Sequence, residues 1–278
     1  MSEPIASKFA GEPDESTDNS VLLEVTEEGV AVLLLNRPQR KNAFNARMIL
    51  ALTEALESLA GAEGVRVVFI RGAGHAFCGG ADLDWMRSAA GWTEAENRAD
   101  ALELARMLHA LHRLPMLTIA LVEGPAFGGG AGLVCACDMA VATADAVFAF
   151  SETRLGLTPA TISPYVVEAI GPRHARRLFA LAGRFDAAEA HRIGMVDEVV
   201  ATSDDLNARQ EALAAEAVTA APGAVADAKV LVRDVTGRTV DHALMEDTAR
   251  RIAARRVSPE GREGLAAFFD KRKASWIS

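Results

Sequence analysis

Three short, mostly apolar runs, Val30–Leu35, Val65–Ile70 with Arg66 inside it and Met116–Val122 with Thr118 inside it, constrain the fold of this chain most tightly. Each is too short for a core helix and shows no polar–apolar alternation, so each reads as a strand buried on both faces. Turn residues close them: Asn36-Arg37-Pro38 after the first, Gly72 to Asp82 after the second, Gly124 after the third. Helical patterns lie between. Asn45 is placed to cap a helix with the apolar face Ile49, Leu52, Leu56 and Leu59, which Gly61 and Gly64 end. A more polar helix spans Thr93–Arg113 and stops before Pro115. Two shorter strands follow at Met139–Ala142 and Val147–Phe150. Strands alternating with helices predict an α/β fold rather than a sandwich.

From Leu206 onward Ala, Glu and Arg dominate, and helices are expected around Leu206–Ala217, Ala224–Val235, Asp241–Arg256 and Gly264–Lys273. The expected organisation is a disordered tail over 1–20, an α/β core over 21–203 and a helical C-terminal region over 204–278. The first twenty residues are acidic and polar, unlike a secretory signal or an Arg-rich transit peptide. In 278 residues, 29 Lys+Arg stand against 38 Asp+Glu, a formal net charge of −9, which argues against nucleic-acid or anionic-membrane partners. Glu123 and Asp138 interrupt the most apolar stretch, so no transmembrane helix is expected. Cys78, Cys135 and Cys137 form no CxxC pair and fit a reducing, cytoplasmic compartment. His109 and His112 share a helix but have no third ligand at metal spacing, so no metal is expected.

Two loops after buried strands consist almost wholly of small residues: Gly72–Leu83, and Gly124 to Leu133 with the run Gly128-Gly129-Gly130-Ala131-Gly132. Glycine lets main chain approach a ligand closely, and a loop that opens a helix presents free N–H groups at its positive end. Two such groups aimed at one point would form an oxyanion hole. The same glycines would equally serve tight turns or close packing. Neither loop is a phosphate loop, since GxxxxGK[ST] is absent and Phe77 stands where GxGxxG needs glycine. No GxSxG elbow offers a serine nucleophile. Glu152, at the end of a short apolar strand, could project into a cleft of low polarity that raises its pKa and makes it a proton carrier.

Phe77-Cys78-Gly79-Gly80-Ala81-Asp82-Leu83, Gly124-Pro125-Ala126-Phe127-Gly128-Gly129-Gly130 and Phe150-Ser151-Glu152-Thr153-Arg154-Leu155-Gly156-Leu157 resemble, in order and spacing, the crotonase (enoyl-CoA hydratase/isomerase) family. Asn36-Arg37-Pro38 with Asn42-Ala43, and Glu260-Gly261 with Phe268 and Lys271-Arg272-Lys273, extend the likeness from about Val21 to Ser278. The resemblance implies a crotonase-like spiral of ββα units whose C-terminal helices mediate a homotrimer or a dimer of trimers. It implies an acyl-CoA thioester substrate and no separate cofactor, coenzyme A being part of the substrate. The main-chain N–H groups of Ala81 and Gly129 would bind the thioester oxygen and Glu152 would move the proton. Main chain at Ala81, Asp82 and Leu83 would lie along the coenzyme, with Lys41 near its phosphates.

Two departures shape the expected chemistry. Where typical hydratases read GGGxE, this chain has Gly132 in the acid's place, so a two-carboxylate mechanism does not carry over. Where they read PGxGG, it has Pro159-Ala160-Thr161-Ile162-Ser163-Pro164. That combination looks like bacterial methylglutaconyl-CoA hydratases, and like the relatives that act on isohexenylglutaconyl-CoA. Their substrates carry a free carboxylate, for which Arg154 is a candidate partner. A Δ3,Δ2-enoyl-CoA isomerase, which needs one carboxylate, and a non-catalytic acyl-CoA-binding scaffold are the rival readings.

Overall fold

The computed structural model describes residues 19–277. Most of the expected tail therefore lies outside the described residues. Its last two members, Asn19 and Ser20, are tied down: the Asn36 side chain donates to Asn19 O at 2.9 Å, and Asn36 N–H to Ser20 O at 2.8 Å.

A six-stranded sheet forms the centre. It contains β1 (Val21–Val25), β2 (Val30–Leu35), β3 (Val67–Gly72), β4 (Leu117–Val122), β6 (Met139–Thr143) and β9 (Glu198–Val200), in that order across the sheet. Only the β1–β2 pair is antiparallel. Both faces are covered, which is why β2 reads as an unbroken apolar run. Ala31, Leu33 and Leu35 face the main core, whereas Val30 and Val32 face a second one completed by Leu206 and Leu213. Those two leucines lie on α7 (Ser203–Ala217), so this helix, expected to begin the C-terminal region, packs on the sheet.

A smaller layer contains β5 (Pro125–Phe127), β7 (Val147–Ala149) and β8 (Arg184–Asp186). Single parallel bridges, Cys78 with Ala126 and Phe44 with Ala81, extend it by two rungs. The chain thus spirals: each turn places a long strand in the large sheet, a short segment in the small layer, and then a helix. The helices of successive turns are α1 (Ala46–Ala60), α2 (Leu83–Ala89) with α3 (Glu94–Arg113), α4 (Gly129–Ala136) and α5 (Ser163–Leu181), and α6 (Ala187–Arg192) precedes β9. The cap expected at Asn45 is in place, and the structure adds one at Thr93. Asn45 Oδ1 accepts from Met48 N–H, and Thr93 with Glu96 forms a capping box on α3.

Three helices follow α7: α8 (Pro222–Val235), α9 (His242–Val257) and α10 (Pro259–Phe269). Lys229 anchors α8 to the core, its Nζ donating to Asp138 Oδ2 at 2.6 Å and to Met116 O at 2.7 Å. The last helix starts five residues earlier than its expected position because Ser258 caps it and Pro259 occupies its first turn. No helix of the described residues is long and apolar enough to cross a membrane.

Candidate active site

The Cys78–Asp82 segment lies between two neighbours. On one side Cys78 N–H donates to Pro125 O at 3.0 Å, and Cys78 O accepts from Phe127 N–H at 2.9 Å. On the other, Gly79 N–H donates to Lys41 O at 2.7 Å, Phe44 N–H to Gly80 O at 2.7 Å, and Asp82 N–H to Phe44 O at 2.8 Å. Since the Gly80 carbonyl and the Asp82 N–H both face Phe44, the pleat turns the Ala81 N–H to the opposite side, toward the β5–α4 turn. Gly80, at φ 94°, leaves room for the Phe127 carbonyl, which is 3.1 Å from where a Cβ would stand.

At that turn Gly128 has φ 49° and ψ −117°, backbone open to glycine alone. It ends the small layer, donating its N–H to Ala149 O at 2.8 Å, and begins α4 with Gly129. The N–H of a first helical residue has no acceptor in its own helix. Neither Ala81 N–H nor Gly129 N–H donates to a protein group among the described residues. One residue ties the two positions together. Phe44 is bonded through its main chain to Gly80 and Asp82, and its ring lies so close to Gly129 that an added Cβ would be 3.0 Å from Cδ2.

Glu152 opens a 3-10 turn (Glu152–Leu155) just after β7. One carboxyl oxygen, Oε1, is 3.3 Å from the position a Gly128 Cβ would take. The other, Oε2, is buried with no hydrogen-bond partner. Burial raises the pKa of this carboxyl, and a weaker hydrogen bond from its own N–H opposes the shift. A carboxyl with a raised pKa and one unpartnered oxygen therefore lies beside the turn that carries the free Gly129 N–H.

The enoyl-CoA hydratase/isomerase family pattern matches residues 25–278. The chain belongs to that family. An enoyl-CoA hydratase structure from Shewanella pealeana superposes with a TM-score of 0.89 at 39% identity, covering 92% of this chain and 96% of the other. AtuE of Pseudomonas aeruginosa gives 0.88 at 39% identity, covering 93% and 100%. The enoyl-CoA hydratase AKT6-1 of Alternaria alternata is 32% identical over 247 residues, 88% of this chain and 80% of that one. The spiral of ββα units is thus the crotonase fold.

In this family member the place of a second acid is closed by packing. A Cβ on Gly132 would be 2.2 Å from Ile162 Cγ2 and 2.6 Å from its Cβ. Gly132 lies one helical turn beyond Gly128 and donates to the Gly128 carbonyl at 3.0 Å, so Ile162 covers the turn of α4 next to the one beside Glu152. The replacement of the glutamate and of the PGxGG stretch are two halves of one contact. Gly132, expected at the ligand, is buried beneath Ile162.

The other expected residues divide. Leu83, at the start of α2, is 73% exposed and free to touch a ligand. Asp82 is buried, its carboxylate paired with Arg37 at 2.9 Å and capping α2 through Asp84 N–H at 2.9 Å. Any ligand contact by Asp82 is therefore left to its main chain. Lys41 is exposed, with φ 51°, and its carbonyl holds Gly79. Arg154 is exposed two residues beyond Glu152. Phe44 and Ile162 went unrecognised in the sequence. Phe44 had a signal, a bulky apolar residue just before a helix N-cap; Ile162 had none. Burial raises the thiol pKa of Cys78 and of Cys135 to about 12, which makes both poor nucleophiles.

Proposed function

We propose that the protein adds water reversibly across the α,β double bond of an enoyl-CoA, with 3-methylglutaconyl-CoA of leucine or isovalerate breakdown as the substrate. The observation that carries this reading is Glu152, a half-buried carboxyl whose buried Oε2 has no hydrogen-bond partner, set against the Gly128–Gly129 turn. Ala81 and Gly129 N–H groups would hold the thioester oxygen as it gains charge, each donor contributing about 2.7–4 kcal/mol to the transition state. Glu152 as carboxylate would take a proton from the attacking water and, as acid, return it to the α-carbon. Isohexenylglutaconyl-CoA, from acyclic terpenes, is the neighbouring substrate, and for either one Arg154 would meet the distal carboxylate at the rim. Coenzyme phosphates would lie by Lys41 and Arg40, the latter already 3.2 Å from Asp84. A soluble cytoplasmic setting fits the three free cysteines.

A second reading is favoured by Ile162: with no room for a second acid, Glu152 alone would suit a Δ3,Δ2-enoyl-CoA isomerase. Incubation with 3-methylglutaconyl-CoA should give a product heavier by one water, whereas a 3-enoyl-CoA should pass unchanged. Double-bond migration without any hydroxyacyl product would replace the hydratase reading with the isomerase one. If neither thioester is turned over, and Glu152→Gln changes nothing measurable, the acyl-CoA-binding scaffold stands.

The assembly proposed is a homotrimer or a dimer of trimers built through the C-terminal helices. Phe268 and Phe269, on α10, are 77% and 73% exposed, and Ile252 and Val257 on α9 are exposed as well. Monomers rarely leave such an apolar patch to solvent. Sedimentation of the wild-type protein should give a trimer or hexamer mass, and Phe268→Asp/Phe269→Asp should shift it toward the monomer. A wild-type protein that sediments as a monomer would refute this assembly.

A further inference from the structure

The Asn36-Arg37-Pro38 and Asn42-Ala43 motifs have no place in the chemistry above, yet they occupy the most heavily bonded corner of the site. Arg37 Nη1 donates to Ala43 O at 2.6 Å and Nη2 to Asp82 Oδ2 at 2.9 Å. Asn42 is fully buried. Its Oδ1 accepts from Arg37 N–H at 2.8 Å, and its Nδ2 donates to Ala73 O at 3.0 Å and Ala76 O at 2.7 Å. Lys41 and Asn42, at φ 51° and 55°, are consecutive left-handed residues without glycine's freedom, a conformation that persists only where surroundings over-determine it. The chain 41–44 so held is the segment against which Gly79, Gly80 and Asp82 are laddered.

We propose that Arg37, Asn42 and Asp82 are positioning residues forming one clamp, which aims the Ala81 N–H at the thioester oxygen. The Ala81 peptide is bracketed by the Gly80 carbonyl and the Asp82 N–H, both bonded to Phe44. Arg37 closes the loop around that bracket, joining the Ala43 carbonyl on one strand to the Asp82 carboxylate on the other. Asn42 fastens the same strand to the far side of the loop at Ala73 and Ala76. Loss of the clamp frees Asp82 and with it the tilt of the Ala81 peptide. The donor then remains in the molecule but misses the oxygen, and a misplacement of about 1 Å costs a rate on the order of 10²-fold. The effect belongs to kcat, because hydrogen bonds to the oxygen strengthen as charge develops on it.

This inference rests on the thioester reading above. Its test uses Arg37→Met, Arg37→Lys and Asp82→Asn in the full-length protein, with two readouts. One is the kcat and KM of enoyl-CoA hydration. The other is the absorption of a bound cinnamoyl thioester of coenzyme A, a chromophore that shifts to the red when its carbonyl is polarised. Arg37→Met should lower kcat about 10²-fold with KM little changed and abolish the red shift while the probe still binds. Lysine should not rescue, since a single ammonium cannot bridge Ala43 O and Asp82 together. The near-isosteric Asp82→Asn retains the helix cap, should lose part of both signals, and carries the test if Arg37→Met does not fold. Variants that shift the probe as wild type does, with kcat reduced only by their unfolded fraction, overturn the clamp alone. A wild-type protein that neither shifts the probe nor hydrates an enoyl-CoA overturns the thioester reading and the clamp together.

Discussion

Replacing Glu152 by glutamine is expected to lower kcat by about 10²–10⁴-fold, the contribution of a well-placed proton carrier, while acyl-CoA binding persists. Gln keeps the shape and polarity of the side chain and removes only the transferable proton. The same substitution should remove the acid limb of the kcat/KM profile. In the wild-type protein that limb falls as pH drops through the Glu152 pKa, which burial places above the ordinary glutamate value of 4.5. Stability should move the other way. A carboxyl whose folded pKa is raised costs nothing below its unfolded pKa, and the penalty grows as pH rises from the unfolded value to the folded one, above which it is complete. At neutral pH Glu152→Gln should therefore melt at or above the wild-type temperature, as expected where an active site sacrifices stability for function. Steady-state kinetics with parallel melting curves at acidic and neutral pH check all three. Full activity in the variant would remove Glu152 from the chemistry.

Gly132→Glu, the change that would restore the second carboxylate, should destabilise the protein and add no activity. Its Cβ would be 2.2 Å from Ile162 Cγ2, far inside contact distance. Overpacking of this kind costs about 1–3 kcal/mol, and a carboxylate forced beneath Ile162 without partners costs more. With roughly 2–4 °C lost per kcal/mol in a chain of this size, a fall in Tm of roughly 5–15 °C follows. Gly132→Glu/Ile162→Gly, which opens the space, should recover part of that loss, although Ile162→Gly alone leaves a cavity worth about 2–5 kcal/mol. Calorimetry of the three variants gives the coupling. An unchanged Tm for Gly132→Glu, or strict additivity in the double variant, would contradict the packing of Ile162 on Gly132.

Much of the site was legible because its parts are local. A first-turn N–H is free wherever a glycine loop enters a helix, and the loops around Ala81 and Gly129 announce themselves by composition. The helix that begins at Gly129 was less legible. Gly129, Gly130 and Gly132 are poor helix formers, and α4 exists because the burial of every residue after Gly129 outweighs that propensity. The start of α10 was readable in Ser258-Pro259 but was masked by the stronger apolar pattern after Gly264.

The strands, the cap at Asn45, and the two donor loops follow from the order of residues alone, since burial on both faces and the bonding of helix ends are properties of short segments. Three features needed the folded chain. Ile162 meets Gly132 from thirty positions further along the chain, Phe44 joins two loops that are far apart in sequence, and Arg37 finds Asp82 only when β2 and β3 pair. No local pattern encodes such contacts, because each depends on the space left between elements after the sheet has assembled. That space is what permits a single acid at this site.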